Sequence, residues 1–261
     1  MNYFKNKTIL ITGASSGIGK CFAKTLDSYG AKLILTARNS DELEKICSNM
    51  NDAISIPGDL TDNNFPLELY ESIIKKNIKV DILINNAGFG FSGLFLNSSI
   101  DNYKEMMDLN MYSLVALSYL FLKDMANDNS GGIINISSMA SFQPIPYFSI
   151  YAATKAFVTS FTLGIYEEYR ESDIKIMGVC PGYTKTKFNE RAQMGSPAAG
   201  GLIMNSQDVV NESLYAYKKG KMIIVNGRIN RFAKIMTALL PQKLSLRLSK
   251  LIIQKALSSS K

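Results

Sequence analysis

A tyrosine and a lysine four residues apart, in the stretch "YAATK" at residues 151–155, are the side chains with the clearest capacity for chemistry. A phenol ordinarily has a pKa of about 10, too high for easy proton exchange near neutrality. A nearby ammonium stabilises the phenolate and lowers the pKa of the phenol. Because residues four apart on a helix share one face, Lys155 is expected beside Tyr151. The pair could act as a general acid or base, although such a pair alone is more often found on an exposed surface.

The composition narrows the chemistry further. The 261 residues contain no histidine, which excludes Ser-His-Asp and Cys-His mechanisms and most zinc sites. Cys21, Cys47 and Cys180 are odd in number and widely spaced, so we expect neither a disulfide framework nor a metal site. Any catalysis is therefore assigned to Tyr, Lys, Ser or a carboxylate.

A second motif, "TGASSGIGK" at residues 12–20, lies between an apolar run and a helical pattern. Its three glycines, Gly13, Gly17 and Gly19, predict a tight turn between a strand and a helix. Such a turn brings backbone close to a phosphate, and the helix N-terminus favours an anion. Ser15 and Ser16 add hydroxyl donors. The motif therefore predicts a phosphate-binding loop.

These motifs require a scaffold of alternating strands and helices. Seven apolar runs predict strands buried on both faces, at residues 8–12, 32–37, 53–58, 81–87, 132–138, 175–182 and 222–227. Amphipathic segments between them predict helices near residues 17–29, 40–50, 63–77, 101–128, 149–171 and 207–219. The alternation predicts βαβ units with right-handed crossovers, and hence an α/β, doubly wound parallel sheet with helices on both faces.

Further motifs follow in a fixed order along the chain. They are "GDLTD" (58–62), "NNAG" (85–88), Asn110 in the long helix that follows, "NISS" (135–138), "YAATK" (151–155) and "PGYTKT" (181–186). With the glycine spacing G-x-x-x-G-x-G, this set resembles the classical short-chain dehydrogenase/reductase family over roughly residues 5–227. The resemblance implies a Rossmann-type fold with strand order 3-2-1-4-5-6-7.

The resemblance also implies an activity: an oxidoreductase that interconverts a carbonyl and an alcohol by hydride transfer with a nicotinamide cofactor. Tyr151 would be the general acid or base, and Lys155 would also hold the nicotinamide ribose. Ser138 would hydrogen-bond the substrate oxygen, since the family spacing favours it over Ser137. Asn110 would hold a water that links Lys155 to a proton relay.

Residues after the second strand favour NADP(H) as the cofactor. NAD users in the family commonly carry an Asp where this chain has Ala37, and Arg38 follows it. A carboxylate repels a 2′-phosphate, whereas a guanidinium binds one. Thr36 and Asn39 are expected to add polar contacts. The cofactor-binding residues implied by the resemblance are Gly13, Ser15, Ser16, Gly17, Ile18, Gly19, Arg38, Asp59, Leu60, Asn86, Ala87, Gly88, Tyr151, Lys155, Pro181, Gly182, Thr184 and Thr186.

The predicted substrate is an apolar small-molecule or lipid-like carbonyl compound or alcohol, because no Arg is placed to meet a carboxylate. The irregular segment 188–206 is predicted to be a substrate lid within a catalytic domain of residues 1–227. The pocket is expected to be bounded by Ser138, Met139, Ala140, Gln143, Pro144 and Tyr147. Phe89, Phe91 and Phe142 either add apolar surface to it or pack in the core.

Residues 228–261 form a C-terminal extension of the same domain. They carry eight Lys or Arg and no Asp or Glu, in two amphipathic helices that flank Pro241. Two interpretations stay open: peripheral contact with an anionic membrane surface, or a helical cap on the lid or on a neighbouring subunit.

Composition and resemblance set the remaining expectations. A net charge of +7 without an Arg-rich aromatic module predicts no nucleic-acid partner. No signal peptide or membrane-spanning run is visible, so a cytoplasmic protein is expected. The resemblance implies a homodimer or homotetramer formed through the long helices near residues 101–128 and 149–171. The alternative to an enzyme is a catalytically idle NADP-binding scaffold or redox sensor on the same fold.

Overall fold

A single sheet of seven parallel strands forms the centre of the molecule, in the order β3-β2-β1-β4-β5-β6-β7. The computed structural model describes residues 3–193 and 203–258. The predicted fold class and strand order are confirmed. The strands are β1 (Thr8–Thr12), β2 (Lys32–Thr36), β3 (Ala53–Ser55), β4 (Ile82–Asn85), β5 (Gly131–Ile136), β6 (Ile174–Cys180) and β7 (Ile223–Val225).

Helices connect the strands in the predicted alternation. They are α1 (Gly17–Ser28), α2 (Ser40–Cys47), α3 (Phe65–Lys75), α4 (Ile100–Met107), α5 (Ser113–Asn127), α6 (Ser149–Glu168), α7 (Lys187–Arg191), α8 (Ser206–Lys218), α9 (Arg228–Leu239) and α10 (Gln242–Ser258). The helix predicted over 101–128 is divided, because a π-helical turn over Asp108–Tyr112 separates α4 from α5. Of the predicted lid, residues 194–202 lie outside the described residues.

Successive residues of each central strand face opposite layers of core. Leu10 of β1 and Leu83 of β4 pack with α3, α4, α5 and α6 on one face of the sheet. Ile9 of β1 and Ile84 of β4 pack with α1, α2 and α8 on the other face. Because both faces are covered, the strands are apolar throughout, which explains why continuous apolar runs marked them in the sequence.

A buried chain of amide and hydroxyl groups crosses one face of the sheet. The side-chain nitrogen of Asn85 on β4 donates to Ser118 of α5 at 3.0 Å and to Asn135 of β5 at 2.9 Å. The nitrogen of Asn135 in turn donates to Thr162 of α6 at 3.0 Å. These bonds tie β4 and β5 to the two helices that cover them.

The carboxyl ends of all seven strands meet at one edge of the sheet, since every strand pairing is parallel. The chain order reverses direction between β1 and β4, which are neighbours. Ligands of open α/β sheets bind in the crevice at such a reversal. A ligand site is therefore expected between the ends of β1 and β4.

Candidate active site

The glycine loop after β1 forms a bare helix N-terminus. Gly13 and Gly17 have φ of +64° and +54°, in the left-handed region that favours glycine. Ser16 precedes the first turn of α1, but its side chain makes no capping hydrogen bond, and the first turn carries no acidic residue. Within the described residues, the N–H groups of this turn thus have no side-chain partner, and with the helix dipole they attract an anion.

The end of β4 is tied closely to this loop. The side-chain amide of Asn86 donates to the carbonyl oxygens of Thr12 at 2.8 Å and Gly13 at 3.2 Å. The hydroxyl of Thr12 accepts from the backbone N–H groups of Asn86 and Ala87, each at 2.9 Å. A β-carbon on Gly19 would collide with the carbonyl of Gly13 and the amide of Asn86. Gly19 is therefore needed for close packing.

A cavity of about 650 Å³ runs along this edge of the sheet from the end of β2 to α6. Of the eighteen residues predicted to bind the cofactor, all except Gly19 line it, and so does Ser138. Asn110 lies behind its wall. The structure thus brings the glycine loop, the "NNAG" and "PGYTKT" stretches and the Tyr–Lys pair to one crevice.

Tyr151 lies in the wall of this cavity, almost fully buried. Its ring packs between Phe148 and Phe188, with centroid separations of 4.3 and 5.4 Å. Burial raises the pKa of Tyr151 to about 12, and a hydrogen bond with the Ser138 hydroxyl acts in the opposite direction. The phenol therefore holds its proton across the physiological range.

Lys155 lies one helical turn away and is also buried. Its Nζ donates to the carbonyl oxygen of Ile136 at 2.8 Å and lies 5.8 Å from the centre of the Tyr151 ring. Burial lowers the pKa of Lys155 to about 8. We expected the ammonium to lower the pKa of the phenol, but burial of the phenol is the largest effect, and the pKa of Tyr151 is raised instead.

The two serines at the end of β5 have different surroundings. Both line the cavity, and the Oγ of Ser138 accepts from the N–H of Ala140 at 3.1 Å. The Oγ of Ser137 donates to the carbonyl of Lys155 at 2.8 Å and bonds the hydroxyl of Thr159 at 2.7 Å. Ser137 thus anchors α6, while Ser138 carries the hydroxyl that borders both the cavity and Tyr151.

Asn110 lies in the π-helical turn, a distortion that often marks functional positions. Its amide nitrogen donates to the carbonyl of Phe89 at 2.9 Å and to the hydroxyl of Thr154 at 3.0 Å, while its oxygen accepts from Phe89 N–H at 3.1 Å. A β-carbon on Gly88 would lie 2.9 Å from the Asn110 oxygen and 3.5 Å from the Lys155 nitrogen. The side chain therefore fixes the backbone beside Lys155, and the water-holding role implied by the resemblance stays a prediction.

At the opposite end of the cavity, Arg38 faces Asp59 across 3.8 Å, and both side chains are about half exposed. Two nearby residues expected to add polar contacts are engaged elsewhere. Thr36 is fully buried, and Asn39 caps α2 by accepting from the N–H of Glu42 at 2.9 Å. An exposed pair at this distance contributes little stability, so the Arg38 guanidinium is available to a ligand.

Arg191 of α7 is a cavity residue that the sequence did not single out within the predicted lid. Its guanidinium lies 4.0 Å from the centre of the Phe89 ring. Burial, followed by the neighbouring charge of Arg38, lowers the pKa of Arg191, while Asp59 acts in the opposite direction. Local sequence offers no signal for this placement, because it depends on how α7 folds back over the end of β4.

The substrate end of the cavity differs in part from the prediction. Met139, Ala140 and Gln143 line it as expected. The remaining residues predicted for this pocket are not among the described residues that line it; these are Pro144, Tyr147, Phe89, Phe91 and Phe142. Apolar and small residues that were not predicted also line it: Leu109, Ile145, Phe148, Phe188, Ser249, Ile252, Ile253 and Ala256.

The last four of these residues belong to α10, which covers the cavity. Ser245 donates to Gln143 at 2.8 Å, and Gln254 donates to the hydroxyl of Tyr147 at 2.7 Å. Lys234 of α9 lies 4.4 Å from the ring centre of Phe142. These contacts explain why Tyr147 and Phe142 face the C-terminal helices, and they make α10 a wall of the cavity.

Comparison with known proteins agrees with this arrangement. Residues 7–196 match the model of the short chain dehydrogenase family. An uncharacterised oxidoreductase of Staphylococcus saprophyticus is 29% identical over 228 residues, covering 85% of this chain and 95% of the relative.

Two solved structures share the fold over nearly the whole chain. A short-chain dehydrogenase from Sphingobium yanoikuyae, in complex with NADPH, is 26% identical with a TM-score of 0.79, covering 90% of this chain and 97% of that one. A bulky-bulky ketone specific alcohol dehydrogenase from Comamonas testosteroni is 25% identical with a TM-score of 0.75, covering 93% and 96%. With the family match spanning most of its length, the chain belongs to the short-chain dehydrogenase family of oxidoreductases.

Proposed function

We propose that the protein is an NADP(H)-dependent oxidoreductase that interconverts a carbonyl and an alcohol on an apolar substrate. The observation that carries the proposal is the common cavity: a buried phenol, a serine hydroxyl and a buried lysine border the same space as a bare helix N-terminus and Arg38. A binding-only scaffold does not require the first three groups. The direct test is a panel of aliphatic, aromatic and bulky ketones, followed by loss of NADPH absorbance.

The residues of the cavity suit a nicotinamide dinucleotide. The first turn of α1 and the glycines at positions 13 and 17 suit the pyrophosphate, and Thr186, whose methyl carbon would lie 3.1 Å from a β-carbon on Gly17, closes that side. Asp59 and Leu60 suit the adenosine, and Lys155 suits the nicotinamide ribose. When bound, the reduced cofactor supplies a hydride to a carbonyl carbon.

Residues of the chain itself transfer the proton to the substrate oxygen. With its pKa raised to about 12, Tyr151 keeps its phenolic proton at neutral pH. Donation of that proton to a substrate oxygen therefore depends on a positive charge that stabilises the phenolate. Ser138 donates a hydrogen bond to the same oxygen and orients it. While Lys155 is protonated, its charge stabilises the phenolate that Tyr151 becomes.

The substrate class follows from the lining of the substrate end. Its side chains are mainly apolar, including Ile145, Phe148, Phe188, Ile252 and Ile253. Apart from Lys155, the charged residues that line the described cavity, Arg38, Asp59 and Arg191, are coupled to one another at the adenosine end. We therefore propose a ketone or secondary alcohol without a carboxylate; the bulky ketone specificity of the Comamonas relative supports the same class.

Replacing Arg38 with glutamine tests the preference for NADP(H). A charge-assisted bond to a 2′-phosphate contributes about 1.5–3 kcal/mol, so NADPH should bind about 10- to 100-fold more weakly. NADH lacks this phosphate and should bind as before. Cofactor fluorescence titration measures both. Arg170→Gln, which removes an exposed guanidinium far from the cavity, is the matched control. Equal weakening of NADPH and NADH by Arg38→Gln would contradict the preference.

Replacing Gly19 with alanine tests the phosphate loop. A new methyl group would press on the carbonyl of Gly13, which belongs to the backbone and cannot rotate away. Such overpacking costs about 1–3 kcal/mol and outweighs the helix-propensity gain of about 1 kcal/mol. We expect a lower melting temperature and at least tenfold weaker NADPH binding.

Gly164 of α6 offers the matched control for this substitution. It is also a helical glycine, but a β-carbon there has no atom of the described part of the chain within 4 Å. Gly164→Ala should leave NADPH binding unchanged and stabilise the fold by about 0.5–1 kcal/mol. If Gly19→Ala behaves as Gly164→Ala does, the loop does not depend on close packing at this position.

We also propose that the chain forms a homodimer or homotetramer through α5 and α6. Exposed aromatic side chains on and beside these helices support the proposal: Tyr112 precedes α5, Tyr119 lies on it, and Phe157 lies on α6. Covering such side chains in a subunit contact is favourable. Light scattering coupled to size exclusion measures the subunit count.

A further inference from the structure

The outer face of the C-terminal helices is unusually apolar. The inner face of α10 packs on the body through buried Ser249 and Ala256. On the outside, nine large apolar side chains recur at helical spacing, each at least 40% exposed, and we call them the C-terminal apolar stripe. They are Ile229, Phe232, Ile235, Met236 and Leu239 of α9, and Leu244, Leu248, Leu251 and Ile252 of α10.

A row of cations runs beside the stripe on α10. Lys243, Arg247 and Lys250 follow the spacing i, i+4, i+7 and are exposed. The sequence of residues 228–261 contains no acidic residue. Arg231 of α9 is paired with Glu212 at 2.9 Å, but that carboxylate belongs to α8. An apolar face bordered by cations is the pattern of a helix that lies in a lipid interface.

The charge distribution decides between two occupants of this surface. A second copy packed through the same stripe would bring the row Lys243, Arg247 and Lys250 close to the same row of the other copy, because a two-fold contact uses the same surface on both. No acidic side chain of either helix offsets that repulsion. An anionic bilayer satisfies both features at once: its acyl region takes the apolar side chains, and its headgroups take the cations.

We propose that α9 and α10 dock the protein onto an anionic lipid surface, lying in the interface. No helix within residues 3–193 and 203–258 is long and apolar enough to span a bilayer, which agrees with a peripheral mode. Ile252 belongs both to the stripe and to the cavity lining, so docking turns the cavity mouth toward the lipid. A lipophilic substrate then enters from the membrane; this last step rests on the proposed function.

The experiment is sedimentation of the full chain with vesicles, without substrate or cofactor. Phosphatidylcholine vesicles with phosphatidylglycerol should bind the protein at low salt, and pure phosphatidylcholine vesicles should bind it much less. The triple variant Lys243→Gln, Arg247→Gln, Lys250→Gln should lose about fivefold in partitioning for each charge removed. The triple variant Phe232→Ser, Leu239→Ser, Leu251→Ser should also lose binding, since it removes apolar area on the outer face.

Two control variants remove side chains of the same kinds, cationic and apolar, from surfaces outside α9 and α10. Lys24→Gln, Lys45→Gln, Lys76→Gln removes three exposed charges from the body, and Leu67→Ser removes an exposed apolar side chain from α3. Both should bind vesicles as the unmodified protein does. Equal losses in control and test variants overturn the proposal. So does a lack of vesicle binding combined with self-association that the serine variants abolish, since a second copy is then the occupant. Neither outcome bears on ketone reduction, which is measured separately.

Discussion

Replacing Tyr151 with phenylalanine should lower kcat for ketone reduction by about a thousandfold, within the 10²–10⁴-fold range of general acid catalysis. Phenylalanine keeps the ring between Phe148 and Phe188 and removes only the hydroxyl, so the fold and the cavity should be unchanged. NADPH fluorescence should show nearly unchanged binding, while NADPH absorbance should show turnover lost.

Tyr70→Phe is the control for this substitution. Tyr70 lies on α3 and donates to Asp124 at 2.9 Å, away from the cavity. The Tyr70→Phe variant should be slightly less stable than the unmodified protein and should reduce ketones at the full rate. Full turnover in Tyr151→Phe would remove the phenol from the mechanism and leave the binding-only scaffold as the better explanation of the fold.

Replacing Lys155 with methionine should lower the reduction rate by about a hundredfold or more and remove a titration from the pH profile. The pKa of Lys155 is lowered to about 8, so its charge is present below that pH and lost above it. Because that charge stabilises the phenolate, the unmodified enzyme should be fast below about pH 8 and slower above it. The variant should be slow throughout, without this alkaline decline. If the reduction rate of the variant still declined at alkaline pH, the decline would arise from a group other than Lys155.

The same substitution predicts a pH-dependent change in stability. The pKa of Lys155 is about 8 when folded and 10.5 in its ordinary state, so between these values the unfolded chain binds more protons, and stability rises with pH. Carrying the buried charge at neutral pH costs about 3 kcal/mol. Methionine removes this cost and leaves the Ile136 carbonyl unpaired, a penalty of about 1–3 kcal/mol. The melting temperature should therefore change little at pH 7. As the pH rises from 8 to 10.5, the melting temperature of the unmodified protein should rise relative to that of the variant.

The sequence predicted the fold and most of the crevice because their signals are local. The alternation of buried strands and amphipathic helices predicts a doubly wound parallel sheet through general topological rules, and the resemblance of the motifs implies its strand order. Gly13, Gly17, Tyr151 and Lys155 each lie in a short motif, and parallel strands bring their ends to one edge. Such signals need no knowledge of long-range packing.

Features formed by contacts between distant segments could not be predicted in the same way. The stacking of Arg191 on Phe89 joins residues from α7 and from the end of β4. The position of α10 as a wall of the cavity depends on how the chain turns after β7. The amphipathic pattern of the sequence predicts the helix, but it does not show what packs against each of its faces. The pKa values of Tyr151 and Lys155 depend on burial, which spacing along a helix does not reveal.

The hydrogen-bonded chain from Ser118 through Asn85 and Asn135 to Thr162 has a consequence for folding fidelity. If β5 slipped by one residue against β4, these amides would be buried without partners, at about 1–3 kcal/mol for each group. Apolar strands alone discriminate poorly between neighbouring alignments, since isoleucine and leucine recur on both faces. These four side chains, which do not line the cavity, thus disfavour a shifted register between β4 and β5. By holding that register they also fix the position of Ser138, which lies two residues beyond β5.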